Sequence, residues 1–307
     1  MAGLWCILTE RDSTTDAHCE FDRLSIGAMK HLGLKLAFLL LALSFCRADA
    51  QTAVGDAPRN IAVSSRSSAL LNAPFTEGEV LSYEAKFNKI LRGIPAADLT
   101  LTVLPTDSPN DFTVKASAIS KGTLLKLFRF SFEQQLQTSI DPVKFRALKT
   151  TKHDVQKDRV RDSEAIFNYV DRRVTFFERN PDEPMKAPRR IASSITDQTH
   201  DLISGLYALR LVPLAIGKSY DFTVSDSGLV YEVPVKVTAR EMQKTMFGKI
   251  WCYRIEPQVF GPGRMIEQEG SFIIWISDDA RRVPVRAQVN APIGRVEIKL
   301  KSAENLK

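Results

Sequence analysis

The feature that most constrains this chain is an alternation of apolar and polar residues with a period of two, repeated along most of its length. Leu81, Tyr83, Ala85 and Phe87 alternate with Ser82, Glu84 and Lys86. Successive side chains of a strand point to opposite faces, so such a segment carries one apolar and one polar face. The rhythm returns in Ala97 to Val103, Phe112 to Ala118, Ala165 to Tyr169, Tyr220 to Val224, Tyr231 to Val237, Phe272 to Ile276, Val283 to Val289 and Val296 to Leu300. Half-buried antiparallel strands read this way; parallel strands covered on both faces would be apolar throughout. Turn-forming clusters separate several of them, at Asp107 to Asp111, Ser225 to Gly228 and Asn290 to Gly294. The expected fold is all-β, a mainly antiparallel curved sheet arranged as a sandwich or an open barrel.

One stretch departs from that period. Leu202, Leu206 and Leu209 recur at helical spacing, Thr199 stands where a cap is needed, and Pro213 follows the end. This predicts one amphipathic helix over 199–211. Gly205 inside it costs about 1 kcal/mol against Ala, which is understandable if the helix must approach a sheet closely. The loop Pro181 to Pro188 precedes the helix and is expected to divide the fold into two halves sharing one core. Leu124 to Phe132 is ambiguous between helix and strand.

The N-terminal region points to export. Lys30 and Lys35 precede the apolar run Leu36 to Phe45, and Ala48-Asp49-Ala50 gives a small-x-small cleavage pattern. Residues 29–50 read as a secretory signal peptide cut after Ala50, delivering the protein to the periplasm. The apolar run is too short to span a bilayer as a helix, so no transmembrane segment is expected after cleavage. Residues 1–28 have no such pattern and are read as an extension preceding the true start at Met29. Residues 51–74, rich in Ser and Ala, form a flexible leader to a single domain over 75–302.

Cleavage also settles the cysteines. Of Cys6, Cys19, Cys46 and Cys252 only Cys252 would remain, which excludes an intramolecular disulfide. Lipidation at Cys46 is disfavoured by the bulky Phe45 before it. The formal net charge of +6 is modest, and the basic clusters Lys149 to Arg161 and Lys186 to Arg190 lack interleaved aromatics. Nucleic acid is therefore not an expected partner.

Catalytic signals are weak. His153 and His200 have no metal-ligand partners at useful spacing, so no metal or cofactor is expected. His200 is placed in the first turn of the helix and His153 on the surface. Cys252 lies in a strand-like run, no nucleophile elbow is present, and Gly261-Pro262-Gly263-Arg264 lacks the ending of a phosphate loop. Two carboxylate pairs fit the residue types a glycosidase uses: Glu267 with Glu269, expected on one face of a strand, and Asp278 with Asp279, expected at a hairpin. No residue is assigned as catalytic.

Three separated motifs carry a family resemblance. They are Phe75-Thr76-Glu77-Gly78-Glu79-Val80-Leu81-Ser82-Tyr83, Asp201 to Arg210 with Pro213 and Gly217, and Ile274-Trp275-Ile276-Ser277-Asp278-Asp279-Ala280-Arg281-Arg282-Val283-Pro284-Val285. Together they resemble the bacterial exported proteins grouped as domain of unknown function 3108. The resemblance implies an envelope protein of mostly β structure and carries no reaction or cofactor with it. On physical grounds Gly78 suits a turn or a position without room for a Cβ. Arg210 could pair with an acid such as Glu79 and fasten helix to sheet.

The functional expectation is non-enzymatic. A curved sheet with a helix against it can enclose an apolar pocket for a lipid or glycolipid of the envelope. The candidate ligand-binding residues are Tyr83, Phe87, Tyr207, Arg210 and Trp275. Each ring, including Trp251 and Trp275, has core packing as its plainer role. The alternatives are a glycan-active hydrolase or lyase using the carboxylates above, and a structural factor acting through an envelope protein partner.

Overall fold

In the computed structural model, which describes residues 73–89, 93–105 and 112–307, the alternation becomes a single curled sheet. The first half supplies β1 (Val80–Asn88), β2 (Ile94–Val103), β3 (Phe112–Ser120), α1 (Gly122–Phe128), β4 (Phe132–Ile140), β5 (Ala147–Gln156), β6 (Arg159–Asn168), β7 (Arg173–Arg179) and β8 (Arg189–Ser194). The second supplies β9 (Thr199–His200), α2 (Leu202–Leu211), β10 (Ser219–Asp226), β11 (Leu229–Thr245), β12 (Gly248–Pro257), β13 (Ser271–Ser277), β14 (Pro284–Ala291) and β15 (Gly294–Glu304). In β1, Leu81, Tyr83, Ala85 and Phe87 are buried and the residues between them are half-exposed, as the period requires. The sheet runs β8 through β1 and then β15 down to β9. Two meanders are thus joined where β1 pairs with β15, and Val80 lies opposite Glu304. All pairings are antiparallel except that of β9 with β10. The all-β expectation is borne out.

The sheet curls until its ends meet. The β10 to β11 turn abuts β7 and β8 so closely that a Cβ on Gly228 would lie 2.6 Å from Phe176 Cβ and 3.0 Å from Ile191 Cβ. Nearby, the Tyr169 hydroxyl lies between the carbonyls of Ala147 (2.6 Å) and Thr199 (2.9 Å). No ladder joins β8 to β9 in the strand order, so the barrel is open along this seam.

Helix α2 sits inside the curl. Ile203, Tyr207 and Ala208 pack on Phe75, Val103 and Phe112. Leu202, Leu206 and Leu209 face Val224, Val233 and Val235 of the other meander. Full burial of Ile203 and Leu209 contributes about 1.5–3 kcal/mol each, so the two packed faces fix the helix against both meanders.

Several local expectations are corrected. Asp201, rather than Thr199, caps α2: its carboxylate accepts from Ser204 N at 2.8 Å, and Ser204 Oγ accepts from Asp201 N at 2.9 Å. Thr199 and His200 belong to β9, so His200 is not in the helix. Gly205 has ordinary room, with the nearest atom to an added Cβ being His200 Cβ at 3.7 Å, and close approach does not explain it. The 181–188 loop links β7 to β8, so the division between meanders falls one strand later. The ambiguous 124–132 stretch lies across the end of α1 and the start of β4. Trp251, placed among the core rings, is 44% exposed. The signal segment, the leader up to residue 72 and the turn at 107–111 lie outside the described residues.

Candidate functional site

Between α2 and the inner face of the sheet lies a cavity of about 280 Å³. Three sources build its wall. Leu202, Leu206 and Leu209 form one stripe of α2, set by the helical spacing of those leucines. Alternation along the strands delivers Tyr83, Leu99, Val233, Val235 and Ile274. The third part is a loop: Gly261 N donates to Ile266 O at 2.9 Å and Ile266 N to Val259 O at 2.9 Å. This folds Met265 and Ile266 onto the cavity, and Gly261 to Arg264 is the turn that permits it.

The wall holds few polar groups, and most are committed. The Asp201 carboxylate is taken up by Ser204, by Thr138 Oγ1 at 2.5 Å and by Thr150 Oγ1 at 3.1 Å. Arg286 directs its guanidinium to the other face of the sheet, where it stacks 4.5 Å from the Trp275 ring and pairs with Glu297 at 2.5 Å, its Nε alone lacking a hydrogen-bond partner among the described residues. Tyr83 differs. Its hydroxyl is buried and has no hydrogen-bond partner among the described residues. Burial pushes its pKa up, against the pull of Arg210, so the hydroxyl stays protonated and able to donate. An unpaired buried hydroxyl costs about 1–3 kcal/mol, which a ligand acceptor at this point would recover.

Beside the cavity, close enough to Tyr83 for its charges to act on that hydroxyl, Arg210 and Glu79 form a buried bidentate pair. Nη1 donates to Oε1 at 2.6 Å and Nη2 to Oε2 at 2.8 Å. The guanidinium also donates to the carbonyls of Pro74, Arg281 and Arg282 at 3.0, 3.1 and 3.0 Å. Tyr207 Oη donates to Glu79 Oε1 at 3.3 Å. Gly78, at φ +79°, makes the turn that delivers Glu79 into this position. The expected helix-to-sheet fastening is present, with two backbone segments added to it.

The five candidate ligand-binding residues are therefore dispersed. Tyr83 alone lines the cavity. Tyr207 and Arg210 belong to the ion-pair cluster beside it, next to Tyr83. Phe87 shares the face of Tyr83 but packs edge-on to Phe128 with ring centroids 6.0 Å apart. Trp275 lies on the opposite face, donating from Nε1 to Glu241 at 2.9 Å. Met265, Ile266 and Phe260 were not legible as wall residues, because the loop carrying them has no period.

The carboxylate pairs do not converge. Glu267 and Glu269 lie in an exposed loop before β13 and not on a strand face, because the chain turns at Gly261 to Arg264 instead of extending. Asp278 pairs with Arg240 at 2.6 Å. Against the cost of its own burial, Arg281 and Ser277 hold the Asp279 carboxyl below its ordinary range. His153 is exposed and 2.6 Å from Asp162. Burial pushes His200 down to about 4 despite Asp201 beside it. Burial, reinforced by Asp279, Asp278 and Glu241, pushes the Cys252 thiol up to about 12, which leaves it unreactive near neutral pH. Among the described residues, no group of three His, Cys, Asp or Glu is gathered to hold a metal, and no helix is long and apolar enough to cross a membrane.

The profile of the family described as protein of unknown function DUF3108 matches residues 82–301. No curated protein matches the sequence. Among solved structures, a β-barrel-like protein of domain of unknown function DUF1849 from Brucella abortus is 9% identical. The match covers 76% of this chain and 99% of that one with a TM-score of 0.52. This likeness shows the fold alone. A protein with a YmcC-like fold from Bacteroides fragilis is 10% identical, with 76% and 98% of the two chains covered and a TM-score of 0.33. A DUF1089 family protein from Pseudomonas aeruginosa is 8% identical, with 72% and 96% covered and a TM-score of 0.29. Nothing below rests on the last two.

Proposed function

The chain belongs to the DUF3108 family, and we propose that it is an exported envelope protein that binds, without turning over, an apolar chain of a lipid or glycolipid in the cavity beneath α2. The observation that carries this reading is an apolar wall containing one buried, unpartnered hydroxyl, that of Tyr83. Such a site suits a ligand that is greasy along its length and has an acceptor at one point. A volume of about 280 Å³ lies near the lower end of ordinary ligand-pocket volumes, about 300–1,000 Å³, which suits a single apolar chain.

Export is supported by the basic, apolar and small-residue sequence of residues 29–50. The non-catalytic half of the reading is supported by the dispersal of the acids. Asp278 and Asp279 stand in separate ion pairs, and Glu267 and Glu269 lie on an exposed loop.

The test is organic extraction of the protein purified from cells, followed by mass spectrometry of the extract. An acyl-bearing compound at near one per chain is expected. A protein that yields no such compound, and takes none up from a lipid extract, would overturn the reading.

A further inference from the structure

The strands β11 and β12 run beyond the sheet that holds them. β10 pairs with β11 only as far as Lys236, and β13 pairs with β12 only from Cys252 to Ile255. Residues 239–251 therefore project as a two-stranded hairpin, turned by Met246 and Phe247. One face folds back on the sheet: Glu241 accepts from Trp275 Nε1 and Gln243 from Arg286 Nη1. The opposite face consists of the cross-strand pairs Arg240 with Tyr253, Met242 with Trp251, and Lys244 with Lys249.

We propose that this outer face docks the protein on an anionic phospholipid surface, an inference independent of the cavity reading. Met242, Met246 and Trp251 are 47%, 44% and 44% exposed, and they lie together on one hairpin. The other large exposed apolar residues are spread over separate elements and turns. Indole and thioether side chains suit the interface between lipid headgroups and acyl chains. Arg240 lies 4.5 Å over the Trp251 ring and is ion-paired with Asp278, so the unpaired charge of this face is that of its two lysines.

Lys244 faces Lys249 directly, and neither has an ion-pair partner among the described residues. Like charges opposite one another destabilise a strand pair, so this tip is a place where an external anion improves the fold. A second copy of the chain would bring the same lysines against each other. A bilayer presenting many phosphates satisfies both lysines while taking up the indole.

The test is co-sedimentation of the full chain with phosphatidylcholine vesicles prepared with and without phosphatidylglycerol. Binding to the anionic vesicles only, reversed by salt, is expected, with a blue shift in tryptophan emission that Trp251→Phe removes. Lys244→Glu with Lys249→Glu should weaken binding about tenfold or more. Met242→Ser with Trp251→Ser provides a second variant that should also weaken it. Absence of binding to anionic vesicles, or binding that neither double variant alters, would overturn the proposal. So would a dimer in solution that Trp251→Ser dissociates, since the face would then be occupied by a second copy.

Discussion

Arg210 of α2 and Glu79, the residue before β1, form a bidentate ion pair with side chains 1% and 0% exposed, and the same guanidinium holds the carbonyls of Pro74, Arg281 and Arg282. It fastens the helix to the segment entering the first strand and to the turn between β13 and β14. Two charges are removed from water here, and their hydrogen bonds offset that cost only while both partners remain.

Arg210→Met is accordingly expected to cost about 3–5 kcal/mol, since it leaves Glu79 buried without its counter-charge. Urea unfolding of the full chain measures this. Unchanged stability would remove the fastening role.

The seam where the sheet ends meet gives a second expectation. Gly228 has φ +82° and no room for a Cβ against Phe176 and Ile191. Gly228→Ala should destabilise the protein by about 1–3 kcal/mol through strain and overpacking. Thermal unfolding checks it; a melting temperature at or above that of the wild type would mean the seam is loose.

Gly205 predicts the opposite sign. Its backbone is helical, and an added Cβ meets only His200 Cβ at a normal contact distance. Gly205→Ala should stabilise by about 0.5–1 kcal/mol, observed as a raised urea midpoint with unchanged slope.

His200 sets a pH dependence. The folded protein holds its imidazole at about 4 by burial, against an ordinary value of 6.5. Between those values the unfolded chain binds a proton that the folded chain does not, so stability falls as pH drops through that window and levels off below about 4. The loss attributable to His200 is roughly 3 kcal/mol. Asp226 acts in the other direction: desolvation pushes its carboxyl up to about 7, so protonation there adds stability as pH falls below that value. The measurement is therefore a difference, wild type against His200→Leu from neutral pH to pH 4. The acid-side loss should shrink in the variant, and parallel curves would exclude the imidazole as its source.

How far the sequence foretold this structure depended on which meander was being read. In β1, β11 and β15 one face is apolar at every second residue, and each was legible as a strand. In β4, Gln134 and Thr138 are fully buried among Phe132, Leu136 and Ile140, and in β5 Asp154 and Gln156 are buried, so the inward face mixes polar with apolar residues. The burial of those groups is supported by hydrogen bonds such as Gln134 Nε2 to Asp154 Oδ1 at 2.7 Å, which join residues of different strands and leave no periodic trace. β7, β8 and β9 were missed because they are short, whereas the strand-like run around Cys252 is β12. At the cavity, Tyr83 and the leucines of α2 could be read from their periods. That they face one another, with the Arg210 and Glu79 pair beside them, depends on the helix lying inside the curl. Only the closure of the sheet determines that.

The central claim is that the cavity beneath α2 receives an acyl chain, and titration of the full chain with decanoate by isothermal calorimetry tests it most directly. One saturable site is expected in the wild type, weakened by Tyr83→Phe and abolished by Leu206→Trp, whose indole would fill the space that Leu206 now borders. Absence of saturable binding, or binding that Leu206→Trp leaves unchanged, would contradict the claim.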